Sequence, residues 1–131
     1  MTIFPVLYVL ARTDLSSMNS GKLAAQACHC GSVFAKQMEN TNDSLYEHWK
    51  ASTLQGFGTV LVLEVNERQM RDKVGIAQQV GLCASIIHDP TYPVRDGQVC
   101  HFIPVDTCGY IFGDKNDYTL SVILGELGLH P

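Results

Sequence analysis

Apolar residues in this chain fall into two kinds of spacing, continuous runs and helical stripes, and their alternation predicts strands interleaved with helices. Ile3 to Ala11 (IFPVLYVLA) is unbroken and rich in β-formers, the pattern of a central strand buried on both faces. Pro5 lies near its start, where a missing donor is tolerated. Arg12-Thr13-Asp14-Leu15 follows at the strand end, and Ser16 to Ser20 forms a polar loop. From about Gly21 to Met38 the spacing becomes helical: Leu23, Ala27, Cys30 and Phe34 share one face, while Lys22, Gln26 and His29 share another at i, i+4 and i+7. Ser20 is the N-cap candidate, because a hydroxyl there accepts from an orphan N–H of the first turn.

Turn chemistry in Glu39 to Asp43 ends that helix, and Asp43 or Asn42 caps a shorter one through about Ser52, in which Trp49 is expected to fill core. After the break at Gln55-Gly56, Thr59 to Val65 (TVLVLEV) reads as a strand. Asn66 with Gln69 forms a capping box for a helix over Glu67 to Val80, and Gly81 supplies its C-cap. Leu82 to Ile87 is the third strand, ending in His88-Asp89-Pro90. Two prolines and an Asp-Gly pair make Asp89 to Gly97 (DPTYPVRDG) a loop. Val99 to Val105 and Cys108 to Phe112 read as strand, interrupted near Pro104. Asn116 or Asp114 then caps a last helix whose apolar side carries Leu120, Ile123, Leu124 and Leu127. The order β-α-α-β-α-β-β-α is that of a three-layer α/β sandwich.

Composition narrows the class. The 131 residues fit one domain, 1–131, and 46% apolar with 17% charged residues is the balance of a globular chain. No apolar run approaches the roughly 20 residues that span a bilayer. The apolar start at Met1 to Leu10 has no basic flank or small-residue cleavage site, so it reads as a strand, and the expected setting is cytoplasmic with no membrane partner. Nine Lys and Arg are scattered, the net charge is −4, and no basic block announces nucleic acid. Five cysteines, an odd number spread through core elements, suit free thiols in a reducing compartment. Cys28 and Cys30, at i and i+2 on a helix, point apart, so the Cys28-His29-Cys30 cluster is not a metal grip, and neither metal nor organic cofactor is expected.

Candidate chemistry gathers at Ser20 to His29. Lys22 enters the first turn of a helix that follows a strand, where an anion would meet both its ammonium and free amides. The carboxyl ends of strands in an open α/β sheet are where ligands bind, so the preceding loop belongs to the same candidate site.

The strand and loop Val9-Leu10-Ala11-Arg12-Thr13-Asp14-Leu15 and the helix start Gly21-Lys22-Leu23-Ala24-Ala25-Gln26 with His29 carry a family pattern. So do the capped helix after Val60 to Val65, and Gly81-Leu82 leading through Ser85-Ile86-Ile87 to Asp89. Together they resemble the archaeal and eukaryotic type of peptidyl-tRNA hydrolase, its second structural class, over nearly the whole chain. The expected sheet is mixed, mainly parallel and four-stranded, and the expected assembly a homodimer; the resemblance implies a mixed four-stranded sheet flanked by helices, often in a dimer, and hydrolysis of the ester at the 3′ end of peptidyl-tRNA. It implies that Lys22 and Asp89 are catalytic and that Arg12, Asp14, Gln26 and His29 bind substrate. After Asp89 the chain departs from the family's Ala-Gly-Arg-Thr-Gln and reads Pro90-Thr91-Tyr92-Pro93-Val94-Arg95. Arg95 stands in for the motif arginine, and Thr91 and Thr107 are both candidates for the site threonine, Thr107 being assigned to substrate binding.

Ester hydrolysis needs an oriented water and an oxyanion partner. Asp89 suits the first task and Lys22 with the helix-start amides the second, with no cofactor. Two rivals fit the same residues. One is a catalytically silent member that binds a nucleotide, acyl group or protein partner in the cleft; the other is a dimeric structural module.

Overall fold

Alternate residues of β1 (Pro5–Arg12) face opposite cores, which is why the strand is apolar from Pro5 to Ala11. Val6, Tyr8 and Leu10 pack on one side of the sheet, and Leu7 and Val9 on the other. In this computed structural model, which describes residues 2–131, the other elements are α1 (Ser20–Met38), α2 (Ser44–Lys50), β2 (Thr59–Val65), α3 (Glu67–Gln79), β3 (Cys83–Asp96), β4 (Val99–Asp114) and α4 (Tyr118–Leu124). Met1, which opens the apolar run, lies outside the described residues. Helices α1 and α2 cover one face of the sheet and α3 and α4 the other, giving the expected three layers. No helix among the described residues is long and apolar enough to cross a membrane.

The sheet order is β2-β1-β4-β3. β1 runs parallel to β2 and antiparallel to β4, and β3 runs antiparallel to β4. The sheet is mixed, as expected, but antiparallel pairing outweighs parallel, which corrects the expectation of a mainly parallel one. The cause is local: β3 and β4 form a hairpin, which forces them antiparallel, and β4 then inserts beside β1.

Local chemistry sets the helix ends. Asn19, not Ser20, caps α1, its side chain accepting from Lys22 N at 2.9 Å, so the helix starts one residue earlier than expected. Asp43 caps α2, and Asn66 and Gln69 form the expected capping box on α3. Gly81, at φ +86°, closes α3: its N–H reaches Gln78 O and that of Leu82 reaches Ala77 O, satisfying two orphan carbonyls. Asp117 caps α4 in place of Asn116 or Asp114, because the Asp114 carboxylate is taken by the N–H groups of Phe4 and Asn116. Trp49 is a core residue, donating from Nε1 to Thr59 O and meeting Phe34 edge-on with ring centroids 5.4 Å apart.

Residues 89–97, expected as a loop, instead continue β3 as far as Asp96, and β4 runs on from Val99 without a break at Pro104. Prolines are tolerated here because β3 is the sheet edge and Pro90 and Pro104 fall in an irregular register. Gly97, at φ +61°, takes the first position of the two-residue turn, where glycine bears positive φ at no steric cost.

Two register shifts bracket Asp89. Ile87 pairs with Cys108 but His88 with Asp106, so Thr107 is an extra residue on β4. Asp89 pairs with Val105 but Tyr92 with Ile103, so Pro90 and Thr91 oppose Pro104 alone and the slip is reversed. A bulge sets two neighbouring side chains on one face and re-aims those beyond.

Candidate active site

The stripe of α1 that faces the sheet is Gln26, Cys30, Phe34 and Met38. Gln26 thus belongs to the buried side rather than to an open face with Lys22 and His29, and a buried amide needs partners. It finds two: its Nε2 donates to Asp89 Oδ2 at 2.7 Å, and its Oε1 accepts from Thr107 Oγ1 at 2.6 Å. Thr91 completes the shell, its backbone N–H donating to Asp89 Oδ1 at 2.9 Å and its hydroxyl at 3.3 Å. The two threonines left open by the sequence therefore both join this network. Gln26, Asp89 and Thr107 are the buried polar residues of the protein among those described, and no buried side-chain N or O there lacks a partner.

The bulges make this possible. Cys108 lies in the core under α1, so strict alternation would turn Thr107 toward α3. The extra residue puts Thr107 beside Cys108 on the α1 side and sends Asp106 to the α3 side, where it meets Arg71 at 2.8 Å. The second shift likewise brings Tyr92 to the α1 side, its hydroxyl 3.0 Å from Ser17 Oγ and its ring 5.2 Å from Lys22 Nζ.

Burial pushes the Asp89 carboxyl up, but the bonds from Gln26 and Thr91, with the nearby His29, outweigh it, and its pKa lies below the ordinary 3.8. Asp89 is therefore a carboxylate at neutral pH, better suited to orient water than to store a proton. A groove of about 340 Å³ reaches it, lined by His29, Val33, Ile87, His88, Asp89, Pro90 and Thr91. Lys22 forms no ion pair among the described residues, although Arg12, Lys50, Arg68, Arg71 and Lys73 all do.

Arg12 and Asp14 are placed elsewhere. The guanidinium bonds Asp14 at 2.8 Å, Glu67 at 3.0 Å and the carbonyl of Asp106 at 3.0 Å, and Asp14 also accepts from Glu67 N. They clamp the end of β1 to the start of α3 and to β4. A larger hollow of about 480 Å³ opens on the other flank of α1, lined by Arg12, Leu15, Met18, Ala24, Ala27 and Val62 among others, and holds neither Lys22 nor Asp89. Arg95 is exposed on the hairpin opposite Cys100, outside the Gln26 network. Tyr92 and Ser17 were not legible as site residues, since a segment read as loop offers no face to assign.

No curated protein matches the chain. Residues 5–103 match the family described as Peptidyl-tRNA hydrolase PTH2. The matched span holds Lys22, Gln26, His29 and Asp89, while Thr107 lies just beyond it. With most of its 131 residues inside that match, and with an α/β fold of the kind the resemblance implies, the chain belongs to the peptidyl-tRNA hydrolase PTH2 family.

Proposed function

We propose that the protein hydrolyses the ester between a peptide, or an N-acylated amino acid, and the 3′ end of tRNA, releasing the tRNA. The observation that carries this reading is the buried line from Thr107 through Gln26 to Asp89 at the edge of an open groove. Folding spends three polar groups in the interior to hold one carboxylate at a fixed angle. In the mechanism, Asp89 orients the attacking water and polarises its O–H. Lys22 and the first free amides of α1 face the oxygen on which negative charge grows as the carbonyl becomes tetrahedral. Gln26 and Thr107 hold Asp89, and His29 lies at the groove where the terminal nucleotide or acyl group would enter. Arg95 is an exposed cation that would meet a phosphate. Family membership supports peptidyl-tRNA as substrate and is the support for a homodimer acting in the cytoplasm.

The test is cleavage of an N-acetylated aminoacyl-tRNA by the purified protein, beside Lys22→Ala and Asp89→Asn variants shown to be folded. Both variants are expected to lose about 100-fold or more in turnover, the usual scale for a positioned acid–base group or an oxyanion partner. No cleavage by the unaltered protein across salt concentrations and acyl groups overturns the reading in favour of a silent, binding-only member.

A further inference from the structure

We propose that Tyr92 is a positioning residue for Lys22, holding the lysine ammonium against an aromatic face in place of a carboxylate; this rests on the catalytic reading of Lys22 given above. The Tyr92 ring is fully buried, so its orientation is set by packing. Its hydroxyl is anchored by Ser17 Oγ at 3.0 Å, with Met18 Sδ at 3.9 Å, which ties β3 to the loop entering α1. Lys22 Nζ sits 5.2 Å from the ring centroid, within the range of a cation–π contact. The register shift at Pro90 and Thr91 is what turns this ring toward α1.

The chemistry explains why a ring is useful there. A carboxylate partner would hold the ammonium but cancel its field and occupy its N–H donors. A ring face attracts the cation through its quadrupole while leaving the full charge and outward-pointing donors for an incoming oxyanion. Tyr92 lies three residues beyond Asp89 on the same strand, so one segment of β3 orients the carboxylate and the ammonium together.

The test combines a structural with a kinetic readout on Tyr92→Phe, Tyr92→Leu and Lys22→Ala. Protein carrying 13C-labelled lysine reports the Lys22 Cε–H resonance, identified by its loss in Lys22→Ala; a ring beneath it shifts the protons upfield. Far-UV circular dichroism checks that both Tyr92 variants are folded. The expected result is that Tyr92→Phe keeps the shift and near-full turnover, whereas Tyr92→Leu loses the shift. In Tyr92→Leu, kcat and kcat/KM fall together by about 2- to 30-fold with KM unchanged, as the strength of such a contact implies. A Lys22 resonance that does not move in Tyr92→Leu overturns the contact itself. A shift lost in Tyr92→Leu with turnover intact, while Lys22→Ala is impaired, overturns the positioning role and leaves the catalytic reading standing. Full activity in Lys22→Ala removes that reading and the inference with it.

Discussion

Gln26 and Asp89, 63 residues apart in sequence, meet through a hydrogen bond of 2.7 Å with both side chains buried. The bond opposes desolvation, which alone would push the Asp89 carboxyl up. Gln26→Leu keeps the volume and the burial but removes the donor, so the Asp89 pKa is expected to rise. NMR titration of the Asp89 carboxyl carbon reads this directly, and the acid limb of the pH–rate profile should move upward with it. A titration unchanged in Gln26→Leu would mean that Thr91 and His29 set the ionisation without Gln26.

Thr107 is fully buried, and its hydroxyl satisfies Gln26 Oε1. Thr107→Val keeps the shape and orphans that carbonyl, at an expected cost of about 1–3 kcal/mol of stability. Thr107→Ser keeps the hydroxyl and loses a methyl, at about 1 kcal/mol. Urea denaturation ranks the three proteins, and Thr107→Val as stable as the unaltered protein would show that the bond contributes nothing to stability.

What was legible in the sequence, and what was not, divides by range. The Asn66–Gln69 capping box and the β2 limits are decided within a few residues and stand as read; Asp43 takes the cap that the sequence left open with Asn42, and α3 ends at Gln79, with Val80 as its cap and Gly81 just beyond. Gln26 was assigned to an open face because its partners come from β3 and β4, and nothing local marks it as buried. Thr107 and Tyr92 depend on register shifts between two strands, which period-two reading excludes by construction. Pro90 and Pro93 suggested a loop because the exclusion of proline holds for central strands, and only the sheet order reveals β3 as an edge.

Arg12 makes three kinds of contact with one planar group: to Asp14, to Glu67 and to the carbonyl of Asp106. Its side chain is only 10% exposed, so the bonds are shielded. Lysine keeps the charge but not the fork, and Arg12→Lys is expected to cost about 1–3 kcal/mol by leaving the carbonyl or a carboxylate short of a donor. Thermal and urea unfolding measure it. A change under about 0.5 kcal/mol, the scale of an ordinary surface substitution, would mean that the clamp is dispensable.

Asp106 adds acid sensitivity to the same region. Its carboxylate accepts from Arg71 and from His88 Nδ1, each at 2.8 Å, and the bond from Arg71, then that from His88, holds its pKa below the ordinary 3.8. A depressed carboxylate stabilises the fold fully above its unfolded pKa, and that contribution is lost as pH falls through the lower, folded value. The loss therefore lies at and below about pH 3.8, the ordinary carboxyl value. Asp106→Asn is expected to lower stability at neutral pH and to make the decline on acidification shallower. It should not abolish that decline, because the carboxyls of Asp14 and Asp89 are depressed as well. Arg71 is 47% exposed, so added salt should shrink the difference between the two proteins. Denaturant unfolding at a series of pH values gives the slope, and parallel curves for Asp106→Asn and the unaltered protein below pH 3.8 would remove Asp106 from the acid response.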